Sequence, residues 1–556
     1  MLNYLSNQFN DVNIHKEKIM IENKSLDLIV ITDAHYYSKK LGVDTESYNK
    51  YDAGNQKMVK ESEEVLKAAF AQIAKSECKN VIFCGDSTCD GDFDSHAEFI
   101  SLLYALKKCG KRVLAITSTH DFQDNGITHK YTGPVREDTP AATREDIPSM
   151  YKEFGPDEAS SVFTDGLSYF VDLDETYSIF ALNSDRDGTG RSGYSEEMRK
   201  WITTTAQEAL ANGRKLLAFT HHPLISPSPF YSLIGKNDMM GGHMEIRELL
   251  ADNGISMVFT GHSHVHDISY IFSENGNILY DISTSALAGY PGYYRTVKIK
   301  NDVATISSEH ITEKVNINYN GKDLQEHLYN KFFGTIRLTL NAAAKDIPTF
   351  ADCAVGISIP KRTSYKLGWI IKPIGKLINK ITISNVASWT KKETGLKKSD
   401  YAHIKDVKVV DFIIDLVMRL YEGDGPYNPE TPQYKITKGL MNIIDSILHA
   451  IHLPFSKILK GYNSPSDLII PLLHNSGICD EKATLPLNIS PDEIESICNN
   501  NYTDTVKQSK KGPGIVATAI ILILLLIPFL PVAAIAVFIA YLVNKIKYSK
   551  EIRGLK

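Results

Sequence analysis

The chain has 556 residues, of which 43% are hydrophobic and 23% charged, with seven cysteines and a formal net charge of −5. That balance excludes a wholly disordered or collagen-like chain, and the length allows several domains. The near-neutral total conceals a split: residues 1–310 hold 30 Lys and Arg against 44 Asp and Glu, net −14, and the remainder holds 31 against 22, net +9.

In chain order, residues 1–24 form a polar N-terminal extension with no charged stretch leading into an apolar core, so no signal peptide is expected. An odd cysteine count without a CxxC pair points to a reduced, intracellular chain. Residues 25–310 read as one α/β catalytic domain. Apolar, β-branched runs at Leu26–Thr32, Asn80–Cys84, Arg112–Thr117, Tyr177–Leu182, Lys215–Thr220 and Ser256–Thr260 predict buried strands. Helical patterns near Asn55–Ala74, Ser95–Lys108, Ser195–Ala211 and His243–Asp252 lie between several of them, and short strands follow Gly261.

Residues 311–510 read as a basic, mainly α-helical region of unassigned role, with helices expected at Leu324–Ala344, Val407–Tyr421, Ile436–Ile451 and Pro491–Asn499. The run Lys366–Lys380 mixes lysines with apolar residues. It fits either a membrane-surface element or a core helix with a solvated lysine face, and Gly368, Pro373 and Gly375 weaken a regular helix.

Residues 511–556 read as a membrane anchor with a basic tail. Ile515–Val543 is a nearly unbroken apolar run, longer than the ~20 residues that span a bilayer. Without a leader the bulk of the chain stays cytoplasmic, and the positive-inside rule holds the tail on that same side. A hairpin bent at Pro528 and Pro531 meets both demands, but its arms reach only about 20 Å against a core of about 30 Å. The length favours a single kinked span over a shallow re-entrant hairpin; membrane lipid is an expected partner either way.

Five polar segments each sit where a predicted strand ends: Asp33-Ala34-His35, Gly85-Asp86, Ser118-Thr119-His120-Asp121, Thr220-His221-His222-Pro223 and Gly261-His262-Ser263-His264. Carboxyl ends of strands form the ligand crevice of open α/β sheets. Imidazole and carboxylate donors suit divalent Zn, Mn or Fe. Phosphoester hydrolysis needs an activated water and neutralised phosphoryl oxygens, which two metals can supply together, and a carboxylate can bridge them.

This ordered set resembles the calcineurin-like metallophosphoesterase superfamily over about residues 25–310. The resemblance implies a four-layer αββα sandwich with two central sheets and two divalent ions (Mn, Fe or Zn). It implies Asp33, His35 and His264 as ligands of the first metal, His221 and His262 as ligands of the second, and Asp86 bridging. His120 would stabilise the phosphoryl oxygens or protonate the leaving group, with Asp121 orienting its ring. Thr119 occupies the position of the family's second-metal asparagine, a departure that makes it a poorer ligand. Gly85–Gly91, Ser95-His96 and Thr284–Pro291 are similar to elements of the bacterial class III cyclic-nucleotide phosphodiesterase branch. His243, opening a helix, is a candidate for the substrate pocket or simply a helix-start residue.

The expected function is metal-dependent phosphodiester hydrolysis at a membrane, by in-line attack of a metal-bound hydroxide, on a small nucleotide or a lipid headgroup. A membrane phosphomonoesterase or protein phosphatase, a lipid-headgroup phosphoesterase, and a non-catalytic scaffold with a degenerate second site are the alternatives. The net −14 of the catalytic half disfavours duplex nucleic acid as substrate.

Overall fold

The computed structural model describes residues 25–494 apart from 189–191, 228–238, 316, 318–322, 351–360, 424–426, 451–461 and 475–476. Fifteen strands are present among these residues: β1 (Leu26–Ile31), β2 (Asn80–Cys84), β3 (Arg112–Ile116), β4 (Ile127–Lys130), β5 (Glu137–Pro140), β6 (Ser161–Phe163), β7 (Ser168–Asp172), β8 (Tyr177–Leu182), β9 (Lys215–Thr220), β10 (Ile255–Thr260), β11 (Asp267–Phe272), β12 (Ile278–Ser283), β13 (Tyr294–Lys300), β14 (Val303–Glu309) and β15 (Lys482–Pro486). One sheet runs β15-β14-β13-β1-β2-β3 and a second runs β11-β12-β10-β9-β8-β7-β6, while β4 and β5 form a separate hairpin.

The central strands are apolar along their whole length because both of their faces are covered. All six residues of β8 are buried, for example. The sheets face each other through β3 against β8 and β2 against β9. Helices Ser62–Lys75 and Phe93–Lys108 cover the outer face of the first sheet, and Glu196–Ala211 and His243–Asp252 cover that of the second. The result is helices, sheet, sheet, helices. Helix starts follow local chemistry: the Asp92 carboxylate accepts from Ser95 N and the Ser195 hydroxyl from Met198 N.

Strands β1, β2 and β3 are parallel, as are β8, β9 and β10. Their carboxyl ends therefore open at one edge of the sandwich. The loops there are stitched across by backbone bonds, Asp33 N to Gly85 O (3.1 Å), His35 N to Asp86 O (3.0 Å) and Gly261 N to His221 O (2.9 Å).

The described residues beyond 310 are mostly helical, at Leu324–Ala342, Lys361–Ile378, Ile383–Trp389, Val409–Glu422, Pro432–Ala450 and Ser466–Leu473. The helix over Lys361–Ile378 forms with Pro373 inside it. The helices share one continuous apolar cluster with the first sheet, through residues such as Leu328, Phe332, Ile414 and Leu440. Phe332 packs edge-on to Tyr421 and lies against Tyr290, near the carboxyl edge. The first sheet takes its edge strand β15 from far along the chain, with Leu485 opposite Ala304.

One expectation differs from the structure. The helix expected from Asn55 begins at Ser62, because Lys57 N bonds the Asn55 side chain and Met58 N bonds Ala288 O, which holds residues 55–61 as a loop. No helix among the described residues is long and apolar enough to cross a membrane. The anchor expected at Ile515–Val543 and the N-terminal extension 1–24 lie outside the described residues.

Because Leu485 is fully buried, Leu485→Ala is expected to destabilise the chain by about 2–4 kcal/mol. Urea unfolding followed by tryptophan fluorescence measures this. An unchanged midpoint would mean that β15 is not an integral part of the sheet.

Candidate metal centre

Asp33 and His35 follow β1, Asp86 follows β2, His120 and Asp121 follow β3, His221 follows β9, and His262 and His264 follow β10. Three groups of donors lie close enough to hold an ion: Asp33, His35 and His264; His35, Asp86 and His120; and Asp86, His221 and His262. Asp86 and His35 each belong to two groups, so the three form one continuous cluster.

The spacing is that of coordination. Ligands bound at about 2.0–2.2 Å sit roughly 3 Å from one another. Asp33 Oδ1 is 3.1 Å from His264 Nε2 and 3.4 Å from His35 Nε2, and the two imidazole nitrogens are 3.2 Å apart. Asp86 Oδ2 is 3.2 Å from His221 Nε2, 3.8 Å from His35 Nε2 and 4.0 Å from His120 Nε2.

His221 supplies a test of whether these residues fit a metal. Its Nδ1 donates to Cys84 O at 2.7 Å, which fixes the tautomer, and its fully buried Nε2 makes no hydrogen bond. A buried nitrogen 3.2 Å from the Asp86 carboxylate needs a proton or a cation between the two, so the pair fits a metal ion. The donor set of ionised carboxylates and imidazoles fits a pair of divalent ions.

Charge states agree. Burial alone would push Asp33 up, yet His264 and His221 hold it well below the usual carboxylate range. Asp86 is likewise held down against burial by His221 and His120. Burial and the nearby Lys57 lower His35, and burial with His221 lowers His262 to about 3. His221 alone moves the other way: burial opposes its charge, but Asp86 and Asp33 raise it to about 9.

The backbone adopts unusual conformations here. Asp33, His35, Asp86, His262 and His264 all have φ between 41° and 63°, a region unfavourable to residues with a Cβ. Such strain clusters at functional sites, where surrounding structure enforces it. Two glycines permit the close approach. A Cβ on Gly85 (φ 95°) would lie 2.9 Å from His221 Nδ1, and one on Gly261 would collide with Thr32 Oγ1. His262 N also donates to Asp33 Oδ2 at 3.0 Å, linking the two sheets.

The β3 turn departs from expectation in one respect. The Asp121 carboxylate accepts from Thr88 N (2.7 Å), Thr88 Oγ1 (2.9 Å), Ser118 N (2.9 Å) and Ser87 N (3.2 Å), so it braces the Asp86 loop and does not hold the His120 ring. The ring is instead fixed by Nδ1 bonding to Cys89 O at 2.7 Å. A carboxylate facing several backbone N–H groups is better satisfied there than beside one imidazole. His120 is 42% exposed, unlike the buried donors around it. His96 supports the turn through Asp121 O at 2.7 Å. Thr119 is exposed between Ser118 and His120.

His243 is buried at the first position of its helix and belongs to none of the three donor groups. Two residues at the cluster escaped sequence reasoning. Gln56 Nε2 lies 2.7 Å from His264 Nδ1, and Lys57 Nζ lies 3.3 and 3.4 Å from the two nitrogens of His35. Both were absorbed into an expected helix, and only the Gly54-Asn55 turn signal marked the loop.

Residues 26–266 match the family model described as calcineurin-like phosphoesterase, a segment that contains every donor above. No curated protein matches the chain. Similar solved structures include a dimetal phosphatase from Danio rerio, with 14% identity over 52% of this chain and 97% of that one and a TM-score of 0.37. They also include a purple acid phosphatase from yellow lupin seeds, with 11% identity over 52% of each chain and a TM-score of 0.33. The GAP50 anchor of the Plasmodium inner membrane complex has 12% identity over 53% of this chain and 87% of that one, with a TM-score of 0.30.

Two outcomes test the centre. Asp86→Asn keeps the volume and removes the charge, so bound metal in the purified protein should fall from about two ions per chain to one or none. Two ions retained by elemental mass spectrometry would exclude Asp86 as the shared ligand. In the metal-free chain, the His221 proton stabilises the fold below pH 6.5, and this contribution is lost as pH rises through about 9. Metal and proton compete for Nε2, so metal affinity should climb with pH up to about 9, with proton release visible by calorimetry in buffers of different ionisation enthalpy. A flat pH profile would remove His221 from the ligand set.

Proposed function

We propose that the chain is a two-metal phosphoester hydrolase that acts on phosphodiesters and is attached to a membrane through its C-terminal apolar segment. The observation that carries this is the sharing of Asp86 between neighbouring donor groups in a buried crevice. When bound, the two ions would activate a water and offset phosphoryl charge, with Mn, Fe or Zn matching the donors.

The chain's own residues have distinct tasks in this proposal. Asp33, His35 and His264 would hold one ion and His221 and His262 the other, with Asp86 available to both and Thr119 at most a weak neutral ligand. His120, half-exposed at the rim and fixed by Cys89 O, contacts the phosphoryl oxygens and delivers a proton to the leaving group from Nε2. Asp121 keeps the Asp86 and Ser118 backbones in place. The Lys57 ammonium adds positive charge beside His35. His243 acts at the substrate pocket wall.

The class of substrate follows from sequence likeness: Gly85–Gly91, Ser95-His96 and Thr284–Pro291 are similar to elements of bacterial cyclic-nucleotide phosphodiesterases, so a small nucleotide diester is preferred. A lipid headgroup is the second candidate, because Ile515–Val543 would hold the crevice close to lipid. Localisation is membrane-anchored, with the catalytic region cytoplasmic.

Purified protein supplied with Mn or Fe is expected to cleave bis-p-nitrophenyl phosphate faster than p-nitrophenyl phosphate and to lose activity with chelator. His120→Ala should lower kcat by about a hundredfold or more with metal content unchanged. Faster monoester turnover would favour a phosphomonoesterase, and no turnover with any divalent ion would leave a non-catalytic scaffold.

A further inference from the structure

The net charge of the second half has a definite address. Residues 361–408 hold 12 Lys and Arg against three Asp and Glu, net +9, and the rest of 311–556 holds 19 against 19. The entire excess therefore lies in one short stretch.

That stretch folds as a local unit. Ile383 N bonds Val407 O at 2.9 Å and Ser384 N bonds Lys405 O at 3.0 Å, so the start of the helix Ile383–Trp389 lies beside residues 405–408. The helix buries Ile383, Val386 and Ala387 and turns Asn385, Ser388 and Trp389 outward. Lys376, Lys380, Lys391, Lys392, Lys397 and Lys398 are all exposed. None of the six forms an ion pair with another described residue. Other lysines, such as Lys39, Lys60, Lys67 and Lys75, each meet a carboxylate.

An unpaired lysine face is often simply solvated. Two further observations favour an occupant here. Trp389 is 36% exposed among the lysines, and an indole is the side chain that suits a boundary between water and acyl chains. The same chain carries the uncharged, apolar Ile515–Val543 run beyond the described residues. We infer that the exposed lysines between Lys376 and Lys408, together with Trp389, dock on the surface of an anionic lipid bilayer. This rests on the membrane attachment proposed above and adds a second contact to it, distinct from the anchor. The −14 half would be repelled by the same surface, so the docked face would set the orientation of the chain on the bilayer.

The test uses the full chain. Flotation with neutral phosphatidylcholine vesicles reads the anchor, and amide hydrogen exchange over residues 388–408 reads the docking. On vesicles that also contain phosphatidylserine, exchange over 388–408 should slow by about tenfold or more, since each lysine at an anionic surface contributes about a fivefold gain. High salt should abolish the slowing. A variant with Lys391→Glu, Lys392→Glu, Lys397→Glu and Lys398→Glu should still float and still turn over soluble substrate, but show no slowing. Equal exchange on the two vesicle types would overturn the inference. So would protection in detergent that rises with protein concentration, which would give the face to the acidic half of a second copy, or protection by RNA stronger than by anionic vesicles. Failure to float on neutral vesicles counts against the anchor alone, because anionic vesicles test the lysine face separately.

Discussion

Two buried carboxylates set the terms for the rest of the molecule. Asp33 and Asp86 have almost no contact with solvent, and removing an ionised carboxylate from water costs several kcal/mol unless positive charge or hydrogen-bond donors replace the water. Thr32 Oγ1 and His262 N satisfy one oxygen of Asp33, and His120 N approaches Asp86 Oδ1 at 3.3 Å. The remaining oxygens face imidazoles. A cluster of imidazoles around two buried anions is a site that asks for cations, and the fold supplies the rigidity that keeps it assembled. Five donors in left-handed backbone conformations would relax if the strands beneath them could move. Parallel strands in two packed sheets, each covered by helices, prevent that.

Much of this arrangement was legible in the chain because the strands are short apolar runs ending in polar residues, a pattern that reports both the sheet and its functional edge. Asp33, His35, Asp86, His221, His262 and His264 stand one to four residues past the end of a strand, as the motifs suggested. What was hidden depends on long-range backbone geometry. The carboxylate of Asp121 turns to the N–H groups of Ser87 and Thr88, and no local pattern distinguishes that from a bond to the neighbouring His120. Strand β15 has an unremarkable sequence and earns its place only by pairing with β14 across a long separation. Gln56 and Lys57 were masked by residues of good helix propensity, whose tendency yielded to the bond between Met58 N and Ala288 O.

The loop that carries Gln56 and Lys57 also explains why the helical region belongs to the same physical unit as the sandwich. Lys331 Nζ bonds the Asp52 carboxylate at 2.6 Å, and Thr335 Oγ1 donates to Asn55 O at 3.4 Å, both from the helix Leu324–Ala342. Residues 52–55 are thus tied to that helix on one side, and residues 56–57 touch His264 and His35 on the other. Phe332 and Tyr329 of the same helix pack on Tyr290, and Glu422 accepts the Tyr290 hydroxyl bond. The helices therefore buttress one wall of the metal centre, and a disturbance of their packing has a short route to the ligands.

That coupling gives meaning to the distribution of charge. A site that collects cations is helped by a surrounding negative field, and the first 310 residues provide it with a net −14. The same field repels an anionic surface and any anionic substrate, so positive charge is needed somewhere if the enzyme is to work beside lipid. Within the crevice, Lys57 places positive charge beside His35. Outside it, positive charge is concentrated in residues 361–408, which carry a net +9. The two signs of charge are thus separated along the chain, a division that a chain of the same net charge with its charges evenly mixed would lack.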